Sequence, residues 1–353
     1  MAMAEGFVIQ NIRLHNFRNY DNFSREFEPG VNKIIGPNAT GKTNIIEAIG
    51  LMTQIASFKN SQTNELVNKC SVNEPAKIAS QIFDQNTNEV FDIQLVIAEG
   101  KKTYTLNGKK KSIAQLKGRF PSVVFNPDDL AFVKGSNTMR RTAVDNLGSQ
   151  ISPDYYAVLH DYNKALKQKN ALLRDGASDD MFASINDVLV MSGAQLVFYR
   201  HALVQKIIPF ISKYYTEIAG NNENLTIEYY PSWAMDDRLE TISRDDARES
   251  LSCAFANNLA EEKARCRALI GPHRDRIVFV LNELDAQNFA SQGQQRSIVL
   301  SFKLSEVSLI ENAIDKRPVL LLDDVMSELD DSRREKFTNF IQDKTQVFIT
   351  STN

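Results

Sequence analysis

The stretch Gly36-Pro37-Asn38-Ala39-Thr40-Gly41-Lys42-Thr43 fits G-x-x-x-x-G-K-[ST] and constrains the fold more than any other segment. Such a loop works between a strand and a helix, and both are written around it. Val31 to Ile35 reads as a short strand; Thr43 to about Gln54 carries Ile45, Ile46, Ile49 and Met52 at helical spacing. The glycines let the backbone turn so that successive amide N–H groups face a bound phosphate, and the helix N-terminus adds partial positive charge. In this pattern Lys42 reaches the β- and γ-phosphates and the Thr43 hydroxyl joins a Mg²⁺ shell. Gly36 to Thr43 are therefore expected to hold a nucleotide.

The rest of the chain divides by texture. Phe7 to Arg18 alternates like a strand, and further β-like segments follow at Ile78–Phe83, Phe91–Ile97 and Thr103–Leu106. Asn107-Gly108 is a hairpin turn signal. From Pro121 helices take over. One pattern runs from about Asp154 to Arg174 and a second from about Ile185 to Ile218, where Pro209 is expected to kink or interrupt it. A helix of about 30 residues is roughly 45 Å long, so this pair makes a short arm and cannot be a long coiled-coil rod. Leu225–Tyr230 and Ile277–Leu281 read as strands, and Arg244 to Leu269 as a charged helix.

Composition sets outer bounds. At 353 residues, 42% hydrophobic and 24% charged, the chain suits a soluble protein with two lobes. No apolar run approaches a bilayer's width, and the N-terminus lacks a signal peptide's regions, so a cytoplasmic protein without a membrane role is expected. Cys70, Cys253 and Cys266 are odd in number and lack C-x-x-C spacing, which fits a reducing compartment better than disulfides or zinc. A net charge of −3 neither advertises nucleic-acid binding nor excludes it, because a local basic face matters more.

The second half of the site lies far along the chain. Val319-Leu320-Leu321-Leu322 is the apolar run of a strand buried on both faces, and it delivers Asp323-Asp324. Alone, four apolar residues before two carboxylates fit any strand end. Beside a phosphate loop they make a Walker B arrangement: Asp323 for Mg²⁺, Asp324 to activate a water for attack on the γ-phosphate. Between the two motifs, Ser291-Gln292-Gly293-Gln294 opens a helix and forms another anion-binding end. One nucleotide does not need two such ends from one chain. The stretch makes sense if it caps the γ-phosphate held by another protomer.

The order Walker A, signature, Walker B and Ser327-Glu328-Leu329-Asp330 resembles the ABC-type ATPases. Asn16-Phe17-Arg18-Asn19-Tyr20, Phe125 to Leu130, Gly271-Pro272-His273-Arg274-Asp275 and Ala290 to Arg296 together resemble the bacterial RecF family over essentially the whole chain. The resemblance implies an α/β, two-lobed ABC ATPase head, with a P-loop lobe (1–120 and 266–353) and a helical arm lobe (121–265) inserted between Walker A and the signature. It implies ATP and Mg²⁺ as cofactors and an ATP-dependent homodimer. It further implies binding of single-stranded and gapped double-stranded DNA in recombinational repair and the SOS response, with RecO and RecR helping to load RecA.

Position by position, the resemblance gives Gly36, Pro37, Asn38, Ala39, Thr40, Gly41, Lys42 and Thr43 to ATP, with Thr43 and Asp323 at the metal. Lys42 and Asp324 become catalytic. Ser291 and Gly293 face the partner's γ-phosphate, Asp330 lies in the interface loop, and Arg18 lines the nucleotide. Departures from the family pattern are Ala39-Thr40 in place of Gly-Gln, no clear Q-loop glutamine, and a missing switch histidine near Thr350 to Thr352. The family continues for another strand past this point, so the sheet edge is expected to be incomplete.

An ABC transporter subunit has the same motif order but a much shorter gap between Walker A and signature, and an SMC protein has a far longer coiled coil there. An SMC-like ATPase with another role in chromosome maintenance remains the alternative. A DNA clamp with slow ATPase activity is expected rather than a motor; turnover with and without DNA separates the two. Candidate DNA contacts are Arg140, Arg141, Lys164, Lys167, Lys169 and Arg174 on the arm and Lys109 to Lys111 in a turn.

Overall fold

The computed structural model describes residues 6–59, 61–71, 73–220, 222–234, 241–341 and 345–352. Residues 1–5, part of the segment read for a signal peptide, and Asn353 lie outside them. The chain packs as two units, Met1–Leu130 with Phe302–Asn353, and Ala131–Ser301. The lobe bounds expected from sequence fall earlier, at 120/121 and 265/266. The difference has a cause: Arg276–Leu281 pairs antiparallel with Leu225–Tyr230 and ties its neighbourhood, Ser291 included, to the second unit.

In the first unit four parallel strands lie in the order Val31–Ile35, Val347–Ser351, Val319–Leu322 and Ser122–Phe125. Every residue of Val319–Leu322 is buried, as its unbroken apolar run requires. The last strand, Val347–Ser351, lies inside this sheet. The carboxyl ends of parallel strands form one edge, where open α/β sheets bind ligands. That edge receives the phosphate loop from the first strand, Thr350 from the second and Asp323-Asp324 from the third.

A six-stranded antiparallel sheet completes the unit, in the order Tyr20–Glu26, Phe7–Phe17, Ala76–Asp84, Glu89–Ala98, Lys101–Leu106 and Lys109–Lys111. The burial of Ala76–Asp84 alternates strictly, so one face packs inward. Asn107 and Gly108 take φ values of 49° and 73°, the two left-handed residues of a tight hairpin. The lysines after it are an edge strand, a placement that discourages further strand pairing. Helix Lys42–Thr53 shares one core with both sheets through Ile46, Ile49, Ile78, Leu95 and Phe348. Each such side chain contributes roughly 1.5–3 kcal/mol by burial.

The second unit holds helices Asn137–Ile151, Pro153–Asp175, Asp179–Ala219 and Arg244–Arg265, and a three-stranded sheet of Leu225–Tyr230, Arg276–Leu281 and Leu284–Asp285. The two expected arm helices are present, separated at Gly176 in the left-handed conformation. Pro209 does not interrupt the second, which runs unbroken for 41 residues; buried Ile207 and Ile211 anchor the turns on either side. Val188 on this helix is exposed. By length and composition alone this helix could cross a membrane, contrary to the sequence reading. Its buried residues, Leu196, Val197, Leu203 and Val204 among them, belong instead to the packing with Pro153–Asp175 and Arg244–Arg265.

Candidate nucleotide site

The phosphate loop is held in shape by its own atoms. Ala39 stands at φ 64° and Gly41 at φ 100°, so the backbone winds left-handed twice within the loop. For Ala39 this costs about 1–2 kcal/mol relative to glycine, and the Thr40 hydroxyl helps hold the turn by donating to Pro37 O at 2.9 Å. Lys42 Nζ donates to Gly36 O at 2.6 Å and Pro37 O at 2.8 Å, folded over the loop where phosphate would compete for it.

Asp323 and Asp324 arrive from the adjacent strand with different surroundings. Asp323 is buried, and its Oδ1 accepts from Thr43 Oγ1 and from Thr350 Oγ1, each at 2.9 Å. Thr43 and Asp323 are 280 positions apart in sequence. Burial raises the Asp323 pKa, while the two hydroxyls and Lys59 oppose the rise. A buried carboxylate beside a hydroxyl is a pair of hard oxygen donors suited to Mg²⁺, which binds through one or two such groups plus phosphate and water. Among the described residues no cluster of three or more His, Cys, Asp or Glu offers an all-protein cage. The donor set thus fits the metal expected with a nucleotide.

A cavity of about 240 Å³ opens here, lined by Asn19, Asn38, Ala39, Gly41, Lys42, Thr43, Asn44, Asp324 and Thr350. Hollows of about 390 and 400 Å³ lie over outer sheet faces, at Arg13 and Lys77 and at Glu228 and Arg276. The smaller cavity is the site because the phosphate loop, Lys42 and the Asp324 carboxylate converge on it.

Arg18 is not among the lining residues. Its guanidinium grips the buried Glu47 through Nε and Nη2 at 2.9 and 2.8 Å, and reaches Ser61 Oγ and Glu65 O. Two charged groups satisfied this way fix the hairpin turn to the loop's own helix. The next residue faces the loop: Asn19 Nδ2 donates to Thr40 O at 3.2 Å, and its Oδ1 accepts from Asn44 at 2.8 Å. Tyr20 OH donates to Thr40 O at 3.4 Å. The sequence motif points to the charged residue, whereas Asn19 beside it lines the cavity and Tyr20 bonds to the loop at Thr40.

Ser291 and Gly293 lie in the second unit, at the start of helix Gln292–Ile314. Ser291 Oγ accepts from Gln294 N at 3.3 Å and Gln294 Oε1 accepts from Ser291 N at 2.7 Å, a reciprocal capping box. Ser291 is exposed, so its end of the helix remains open to solvent. Asp330 caps the helix Asp331–Ile341, accepting from Arg333 N at 3.0 Å.

The arm's basic residues separate into two kinds. Lys169 is fully buried, 2.6 Å from Glu262 and 4.0 Å from the Phe255 ring centre. Its approach to Glu262 departs from hydrogen-bond geometry, so the contact is an ion pair only. Arg140 donates to Val133 O and Gln287, and Arg141 to Asp275 O. These three serve packing. Lys164, Lys167, Arg174, Lys109 and Lys110 are exposed.

The motif Gly271 to Asp275 is mostly internal as well, with Arg274 exposed. Buried Arg200 makes a two-bond pair with Asp145 at 2.8 and 2.7 Å and lies 3.4 Å from Asp275. Asp275 also accepts from Tyr229 OH and, at 2.8 Å, from Ser232 N. His273 Nδ1 meets Tyr162 OH at 2.7 Å while Nε2 faces Ala268 O at 3.3 Å.

Comparison with known proteins places this geometry. Residues 8–353 match the model of the RecF/RecN/SMC N-terminal domain. The DNA replication and repair protein RecF of Bacillus subtilis is 36% identical over 98% of this chain and 93% of its own length. That of Lactobacillus gasseri is 35% identical over 98% and 92%. A solved structure of the recombination mediator protein RecF with ATP, of the RecFOR pathway, superposes with a TM-score of 0.89 at 32% identity, covering 99% of this chain and 94% of that one. An Smc head domain from Pyrococcus furiosus, 15% identical with a TM-score of 0.53 over 98% of this chain and 90% of its own, shares the fold. With its ABC-type ATPase head and this kinship along nearly its full length, the chain belongs to the RecF family.

Proposed function

We propose that the chain is an ATP-dependent DNA-binding protein of replication and repair, in which Mg-ATP joins two copies and slow hydrolysis parts them. The observation that carries the reading is the meeting of Lys42, Thr43, Asp323 and Asp324 at one edge of the parallel sheet. Gly36 to Thr43 wrap the phosphates, Lys42 lies against the β- and γ-phosphates, and Thr43 with Asp323 holds Mg²⁺. The bound ion would neutralise charge developing on the γ-phosphate. Asp324 takes the proton of the attacking water. Aspartate is shorter than the glutamate common at this position in ABC ATPases, consistent with a slow step.

Ser291 and Gly293 meet the γ-phosphate held by the second copy. Their exposed helix start supports this, as does the redundancy of two phosphate-binding ends for one nucleotide. The closed pair holds single-stranded and gapped duplex DNA and works in the cytoplasm with RecO and RecR to load RecA; the RecFOR pathway of its solved relative supports that setting. The exposed lysines Lys164, Lys167, Lys109 and Lys110, with half-buried Lys111, are the phosphate contacts.

The two carboxylates test the reading. Asp324→Asn keeps the side chain's size but removes the base, so turnover should fall by about 10²–10⁴ while ATP binding and dimerisation persist. Asp323→Asn should weaken Mg-ATP binding as well. Unchanged turnover in Asp324→Asn, or a monomer that still binds ATP, contradicts the assignment.

A further inference from the structure

The residue joining the two carboxylates is Thr350, almost completely buried in strand Val347–Ser351. It pairs with Ile34, two residues before Gly36 of the phosphate loop, and lies one step beyond the pairing of Ile349 with Leu322 on the Walker B strand. Its single hydroxyl is used twice. Oγ1–H donates to Asp323 Oδ1 at 2.9 Å, and the same oxygen accepts from the Asp324 backbone N–H at 2.8 Å.

Asp324 stands at φ 53° and ψ 15°, a left-handed conformation that a non-glycine residue keeps only when its surroundings hold it. Here both ends are held. Thr350 takes the N–H, and Ser327 Oγ donates to the Asp324 carbonyl at 2.8 Å. With its backbone pinned, Asp324 lines the cavity together with Lys42 and Thr43.

We propose that Thr350 is a positioning residue for hydrolysis, fixing the backbone of Asp324 so that its carboxylate reaches the attacking water. The proposal rests on Asp324 as the general base. It gives a function to a position where a histidine was expected and a threonine stands. The hydroxyl acts through the two carboxylates, holding the Asp324 backbone and donating to Asp323.

Thr350→Val tests this, because valine keeps the branched shape of a strand residue and loses both hydrogen bonds. Turnover should fall roughly 10- to 100-fold, a share of the 10²–10⁴ that general-base assistance supplies. KM and the affinity for labelled Mg-ATP should change less than turnover, within about threefold, since Asp323 keeps its bond from Thr43 and the main loss arises in the chemical step. Thr350→Ser, which retains the hydroxyl, should keep the parent turnover.

The decisive comparison is the double variant. Placed in Asp324→Asn, Thr350→Val should slow turnover no further, because a residue acting through another has nothing left to aim. Parent turnover in Thr350→Val, an equal loss in both backgrounds, or a serine variant as slow as the valine overturns the proposal. Parent turnover in Asp324→Asn overturns the reading beneath it, and that result is distinguishable from the others. Thermal melting of each variant accompanies the assay; should Thr350→Val fail to fold, Thr350→Ala against Thr350→Ser carries the same test.

Discussion

At the carboxyl edge of the parallel sheet, Lys42, Thr43 and Asp324 line a cavity with Asp323 buried behind Thr43, and the lysine rests on carbonyls that a phosphate would replace. In the helical unit, Arg200, Asp145 and Asp275 face one another, and buried tyrosines satisfy what charge remains. Each cluster sets one basic residue against two aspartates, and each includes part of a motif singled out in the sequence. In the first cluster the polar groups converge on space; in the second they converge on each other. Convergence on space is the mark of a site. A self-satisfied network instead fixes one packing of the helices around it.

The largest effect should come from breaking the closed network. Arg200→Met leaves Asp145 and Asp275 buried without their cation, and removing one partner of such a pair typically costs about 3–5 kcal/mol. The thermal transition should drop markedly while any folded fraction still binds ATP. A variant as stable as the parent would show that the cluster is not structural.

A smaller effect concerns His273. Burial, more than the nearby cations Arg274, Arg141 and Lys169, pushes its imidazole from 6.5 down to about 4. The stability held by the neutral ring is complete above pH 6.5 and is lost as pH falls through about 4. Its upper bound is about 3 kcal/mol. Asp275, raised by burial to about 6, acts in the opposite sense: its neutral form favours the fold, and that gain disappears as pH rises through 6. The informative quantity is therefore the difference between variants. Melting between pH 4 and 6.5 should depend less on acid in His273→Gln than in the parent. An identical profile would place the titration elsewhere.

The smallest effect sharpens the contrast within the arm. Replacing exposed Lys164 and Lys167 with alanine should leave stability nearly unchanged. It should weaken DNA binding for all sequences alike and reduce the slope of log K against log[salt] by about 0.9 for each duplex phosphate no longer neutralised. Lys169 does not belong in that variant, because its removal strands Glu262. An unchanged slope moves the DNA surface to Lys109–Lys111.

The nucleotide site was legible because it is local: strand Val31–Ile35, the loop and the Walker B strand each carry their pattern in a few consecutive residues. Lys169 was misread for the opposite reason. It shares the inward stripe of Tyr155, Tyr162, Ala165 and Leu173, and that spacing marks it as buried, whereas its neighbours Lys164 and Lys167 made it look like part of a basic face. Arg18 and Asn19 are adjacent on a tight turn, where alternation fails and sequence does not say which side chain faces the loop. Helices Asn137–Ile151 and Asp331–Ile341 went unseen because few apolar residues mark their faces. Thr350 was located but had no assigned partner, since its bonds join strands far apart in sequence.

The central claim is that ATP makes the dimer through the signature serine, and sedimentation with and without Mg-ATP tests it most directly. The parent chain should sediment as a monomer alone and at twice the mass with Mg-ATP. Ser291→Arg, which crowds the exposed helix start and leaves the phosphate loop's own residues unchanged, should bind ATP equally well and remain a monomer. A Ser291→Arg chain that still doubles its mass on ATP would contradict the account.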